Sequence, residues 1–138
     1  MSFSAASQSD LEFACAFEAG DVPPSEFNHL AHLRLAYVYL SQGDVKYAEQ
    51  SMREALLAFL DAKKIPRAKF HETLTRAWVM AVSHFMSRRS SGSFAEFIAN
   101  SKPLLDTKVM LTHYSAAALF SERARAAFVE PDLEAIPC

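Results

Sequence analysis

The sequence predicts an all-α fold: a single compact bundle of four main helices, followed by short C-terminal helices and an extended tail. Three observations lead to it. Apolar residues recur at spacings of three and four along most of the chain. No stretch alternates apolar and polar residues for long enough to make a sheet. The 138 residues are 51% hydrophobic and 22% charged, a composition and size that suit one globular domain. One helical domain is therefore expected over 1–138, irregular at 1–7 and 131–138.

The first helix is expected over 8–19, where Leu11, Ala14, Cys15 and Glu18 share a face and Gly20 supplies a stop. Pro23-Pro24 suit a helix start, and a second helix is expected from Ser25 to Ser41 with Leu33, Ala36, Tyr37 and Leu40 on one side. Gly43-Asp44 break it. Asp44 is a good N-cap for a third helix over 45–63, on which Ala48, Met52, Leu56 and Phe59 recur. Lys63 and Lys64 suit the negative end of its dipole, and Pro66 follows. The fourth helix is expected from Arg67 to Arg88, with Phe70, Leu74, Trp78, Val82 and Phe85 along its apolar side. Ser90-Ser91-Gly92-Ser93 is the clearest loop, and a shorter helix follows from Phe94 to Asn100. Beyond Pro103 one helix is expected over 104–112, and Ser115 and Ser121 are N-caps for two further turns.

Composition excludes several functions. Lys and Arg number 14 against 16 Asp and Glu, a net charge of -2, so no bulk attraction to nucleic acid or acidic lipid is expected. Three glycines leave no Gly-rich phosphate loop. Cys15 and Cys138 form no CxxC pair, so no disulfide framework is expected and a reducing cytoplasm fits. The N-terminus lacks the pattern of a secretory signal, and no apolar run reaches about 18 residues. The expected protein is cytoplasmic, with no nucleic-acid or membrane partner. A homodimer is left open.

The segment Glu26–Leu33 carries the first candidate chemistry. His29 and His32 are three residues apart, neighbours at about 5–6 Å on a helix, and lie along the stripe continued by Leu33 and Ala36. A buried imidazole needs a partner for each ring nitrogen, and neutral imidazoles aimed at one point ligate Zn, Fe or Cu. The plainer alternative is that His29 caps a neighbouring helix end and His32 is a satisfied core histidine. His71 shares a face with Thr75 and Trp78, and Thr75 is placed to orient it. Glu72 follows, either pointing inward or pairing with Arg76 one turn on. Position 75 is Thr, so the HExxH zinc motif fails. Glu18, if buried, must be paired, protonated or ligating. In up-down order the end of the first helix and the starts of the second and fourth meet at one end of the bundle. His29, His32, His71 and Glu18 are therefore expected to converge. His84 faces elsewhere, and His113, near a helix break, suits a cap.

Three blocks resemble a family. FEAGDVPPSEFNHLAHLRLAYVYL (17–40), FHETLTRAW (70–78) and YSAAALFSERARAAFVEPDLEAIP (114–137) together resemble an uncharacterised family of small all-helical proteins. Its pattern is an E-x-G…HxxHL block, an aromatic-HETxTxxW block and a YS…AR…PDL tail. Val22 replaces a Leu of that pattern, Phe27 a Trp and Ala116 a Pro. The resemblance marks Glu18, His29, His32, His71 and Glu72 as the polar signature and implies no established reaction.

Two main readings of function follow. One is a small metal-dependent enzyme with a mononuclear site on His29, His32 and His71, holding a divalent transition metal (Fe, Cu or Zn). Glu72 or Glu18 would be its general base, with Thr75, Tyr37, Trp78 and Tyr114 around a small-molecule substrate in redox or hydrolytic chemistry. The other is a non-catalytic helical binding or interaction protein whose histidines form a buried polar network, tolerable only if fully satisfied. A ligand pocket of Phe, Met and Trp is a third, although such stripes are more often plain core.

Overall fold

Each main helix starts where a polar side chain takes up a free backbone N–H. In the computed structural model, described over residues 4–137, Ser7 and Asp10 form a reciprocal capping box at the start of α1 (Gln8–Glu18). Gly20, at φ +79, ends it: its amide donates to the Phe17 carbonyl and that of Asp21 to Ala16, the Schellman pattern. Helix α2 (His29–Gln42) is capped by Asn28, whose side chain accepts the Ala31 amide. It starts later than the expected Ser25, because Pro24–Glu26 close a separate 3-10 turn and Phe27 leaves the helical path at φ -90, ψ 74. Asp44 caps α3 (Val45–Ala62) as expected.

Helix α4 (Glu72–Arg88) corrects the expected start at Arg67 in the same way. Arg67–Lys69 make a 3-10 turn, and His71 is the cap rather than a residue of the helix. Ser93 caps α5 (Phe94–Ala99). The helix expected over 104–112 is two 3-10 turns, Lys102–Leu105 and Val109–Thr112. Between them the Asp106 side chain accepts the Lys108 amide at 2.9 Å, a local bond that competes with the helical ladder. Ser115 and Ser121 cap α6 (Ala116–Leu119) and α7 (Glu122–Ala126), both as expected. Residues 4–7 and 131–137 are non-helical. Cys138 lies outside the described residues.

The second helix is the centre of the bundle. Leu33 and the whole run Leu35–Tyr39 are buried, and α2 packs against α1, α3, α4 and α5. Phe17 of α1 stacks on Phe59 of α3 with ring centres 4.6 Å apart and lies 4.5 Å from Phe27. The only sheet-like contact among the described residues is an isolated bridge between Ser4 and Ser91. No helix there is long and apolar enough to cross a membrane.

At one pole of the bundle Asp10 ties three helices together. Its carboxylate, 3% exposed, accepts the Ser7 amide, the Phe94 amide at the start of α5, and Arg34 Nε of α2, all at 2.9–3.0 Å. Burial alone would raise its pKa. The bonds from Phe94, Ser7 and Arg34 outweigh that and hold it below the ordinary 3.8. Its contribution to stability is thus present above pH 3.8 and lost as pH falls through the lower folded value. Asp10→Ala is expected to lower unfolding free energy by about 3 kcal/mol, with Arg34 left half-buried without its partner. Urea melts at pH 7 and pH 3 check both, since the variant should lose part of the wild-type acid sensitivity.

Candidate functional site

Two of the three histidines of the expected metal site, His29 and His71, are bonded to separate backbone carbonyls. His71 is the N-cap of α4, its Nδ1 accepting the Leu74 amide at 3.1 Å. Its other nitrogen, Nε2, lies 2.8 Å from the Leu119 carbonyl. A carbonyl can only accept, so Nε2 carries the proton and Nδ1 the lone pair. Both nitrogens of this buried ring are committed, and neither is free to ligate. Burial depresses the His71 pKa, the Leu119 bond works against that, and Arg125 adds to the depression.

His29 donates from Nε2 to the Leu104 carbonyl at 2.9 Å, and its ring meets the buried Trp78 edge-on at 4.6 Å. His32 stands near Phe27, their ring centres 5.9 Å apart, and no described residue hydrogen-bonds its ring. Burial, with the neighbouring His29 second, pushes its pKa down to about 4. Among the described residues no three His, Cys, Asp or Glu side chains come together as a metal-holding group.

The carboxylates are committed elsewhere. Glu18 accepts the Tyr39 hydroxyl at 2.6 Å. Tyr39 is ten residues beyond His29, about 15 Å along the axis of α2 at 1.5 Å per residue, so Glu18 belongs to the other end of that helix. Glu18 does not join His29: along α1, Asp10 reaches Arg34 while Glu18 reaches Tyr39, farther along α2. Glu72 pairs with Arg53 of α3 at 2.9 Å rather than with Arg76. Arg76 instead lies 3.4 Å from Glu49 and over the Phe128 ring at 4.4 Å. Each glutamate is held by one partner, Glu18 by the Tyr39 hydroxyl and Glu72 by Arg53.

The surrounding residues hold segments of chain. Tyr37 donates to the Ala5 carbonyl at 2.7 Å and Tyr114 to that of Val129 at 2.7 Å; burial pushes both phenols up to about 12. Thr75 is buried one turn into α4, its amide donating to the His71 carbonyl. The hydroxyl that matters is two residues earlier. Thr73 donates to the Ala127 carbonyl at 2.9 Å and accepts the Val129 amide at 3.1 Å. Sequence reasoning missed Thr73 because the spacing argument favoured Thr75, on the face expected for a helical His71.

A common geometry joins these bonds. Leu104 lies in the last turn of one 3-10 segment, Leu119 ends α6, and Ala127 follows α7. The last carbonyls of a helix have no partner within it. His29, His71 and Thr73 supply one donor to each. A wide cleft of about 690 Å³ opens elsewhere, between α1, the start of α2 and α5, and none of the three histidines lines it. Its Arg34 is spent on Asp10, on the Ser9 hydroxyl and over the Phe13 ring.

Comparison with known protein families, curated proteins and solved structures finds no match to the chain.

His71→Ala is expected to cost about 2 kcal/mol, from the lost cap and the carbonyl left without a donor. Amide exchange should rise first over α6 and α7. Acid should act on the same segment. His32 and His71 both have depressed pKa values, so the stability they contribute is present above the ordinary 6.5 and is lost as pH falls, for His32 through about 4. Urea midpoints at pH 7.5 and 4.5 should differ, and less so in His32→Leu.

Proposed function

We propose that this chain is a non-catalytic helical binding protein in which His29 and His71 are clamps. The observation that carries this reading is the shared target of His29, His71 and Thr73, each of which donates to a carbonyl at the end of a C-terminal turn. Both nitrogens of His71 are spent on fixed partners, and Glu18 and Glu72 each hold one partner away from the histidine pair. The network is of the kind that specifies one packing of a core.

A second reading, a small metal-dependent enzyme acting on a small molecule, draws support from one feature. The His32 ring has no hydrogen-bond partner among the described residues and stands one turn from His29, whose Nδ1 is likewise without one. Iron, copper or zinc on that pair would still lack the His71 and carboxylate ligands unless the clamps opened.

Elemental analysis and exchange measurements on protein purified without a histidine tag separate the two. The clamp reading expects metal-free protein and a His29→Gln variant whose amides over 102–119 exchange about tenfold faster, with or without added Zn, Cu or Fe. Near-stoichiometric metal that is lost in His29→Gln and His32→Leu would overturn it in favour of the second reading.

A further inference from the structure

A pocket of about 190 Å³ lies between α4, the two 3-10 turns and the tail. Phe85, Leu104, Met110 and Ile136 are among its apolar walls, and His84 and His113 are its polar side chains. The clamps build it. Leu104 is held by His29, and the tail that carries Ile136 is held at His113. The His113 carbonyl accepts the Leu133 and Glu134 amides, and its Nδ1 donates to the Glu134 carbonyl at 2.8 Å.

That last bond fixes the chemistry of the ring. With the proton on Nδ1, Nε2 of His113 is a lone-pair acceptor, and no described residue donates to it. His84 leaves its Nδ1 buried without a partner, so its proton is better placed on Nε2, making that atom a donor. No Lys, Arg, Asp or Glu lines the pocket, so it does not favour a charged ligand. An apolar cavity of about 150 Å³ already takes benzene. The present volume suits a substituted single ring.

We infer that this pocket, lined by Phe85, Met110, Ile136 and the two histidines, binds a small uncharged aromatic molecule with one hydroxyl, whose O–H donates to His113 Nε2. The inference rests on the reading of the chain as a binding protein and names its ligand class.

The test uses p-cresol and its hydroxyl-free analogue toluene on the full chain, followed by thermal shift, calorimetry and the ¹⁵N signal of the His113 ring. p-Cresol is expected to bind with a Kd of about 0.1–1 mM and to move the His113 Nε2 resonance, and toluene to bind about tenfold more weakly. Ala81→Leu, which fills the pocket from α4, should abolish p-cresol binding; Val109→Phe fills it from the other side if the first variant fails to fold. No p-cresol binding at millimolar concentration, equal binding of toluene, or unimpaired binding by the filled variants overturns the inference. Metal-free protein that ignores p-cresol sinks the ligand class alone. Stoichiometric metal in the elemental analysis sinks the underlying reading instead.

Discussion

Carbonyls at the ends of short helical turns must find donors, and the C-terminal third of this protein depends on the bundle to provide them. Helix nucleation is unfavourable, so turns of four or five residues such as α6 and α7 are not stable alone in water. Each is started by its own serine cap, a property of local sequence. Each is ended by a group from far along the chain: Leu119 by His71 and Ala127 by Thr73. The Tyr114 hydroxyl adds a further tie at Val129, and Asp132 accepts both the amide and the hydroxyl of Ser115. The wrap is therefore an extension of α2 and α4, without an independent core of its own.

The same requirement decides the charge state of the histidines. A ring that accepts an amide on one nitrogen and donates to a carbonyl from the other must be neutral, and burial favours that form. His71 has both demands at once. Its position as N-cap also places it at the positive end of the α4 dipole, where an imidazolium would be opposed. A neutral imidazole is equally what a metal requires, so the features that suggest a ligand in sequence are those that make a good clamp. Partner geometry separates the two uses.

At the start of α1 a carboxylate does the corresponding work on N–H groups. Asp10 closes the capping box of α1 and also accepts the first amide of α5, so one side chain serves two helix starts, with Arg34 of α2 balancing its charge. The apolar core is built around α2. On the outer side, α3 and α4 are joined by the pairs Arg53–Glu72 and Glu49–Arg76. These partly exposed pairs orient the helices more than they stabilise them, since such contacts contribute about 0–1 kcal/mol.

Much of this was legible in the residues themselves. Helical periodicity, Gly20 as a stop, and Asp44, Ser115 and Ser121 as starts are local properties, and short-range sterics and capping are enough to decide them. The starts of α2 and α4 were not, because Pro24 and Arg67 open 3-10 turns before the stronger caps at Asn28 and His71 take over. Sequence also showed that His29, His32 and His71 lie in largely apolar surroundings and so need partners. It could not say which, because a ring nitrogen can give its lone pair to a metal, accept an amide N–H or, when it carries the proton, donate to a carbonyl. Leu104 and Leu119 are 75 and 48 residues away from the rings that reach them, and a backbone carbonyl has no signature in the amino-acid code. Only the tertiary path of the C-terminal wrap brought those carbonyls to the histidines, and only the packing of α1 on α2 set Glu18 against Tyr39.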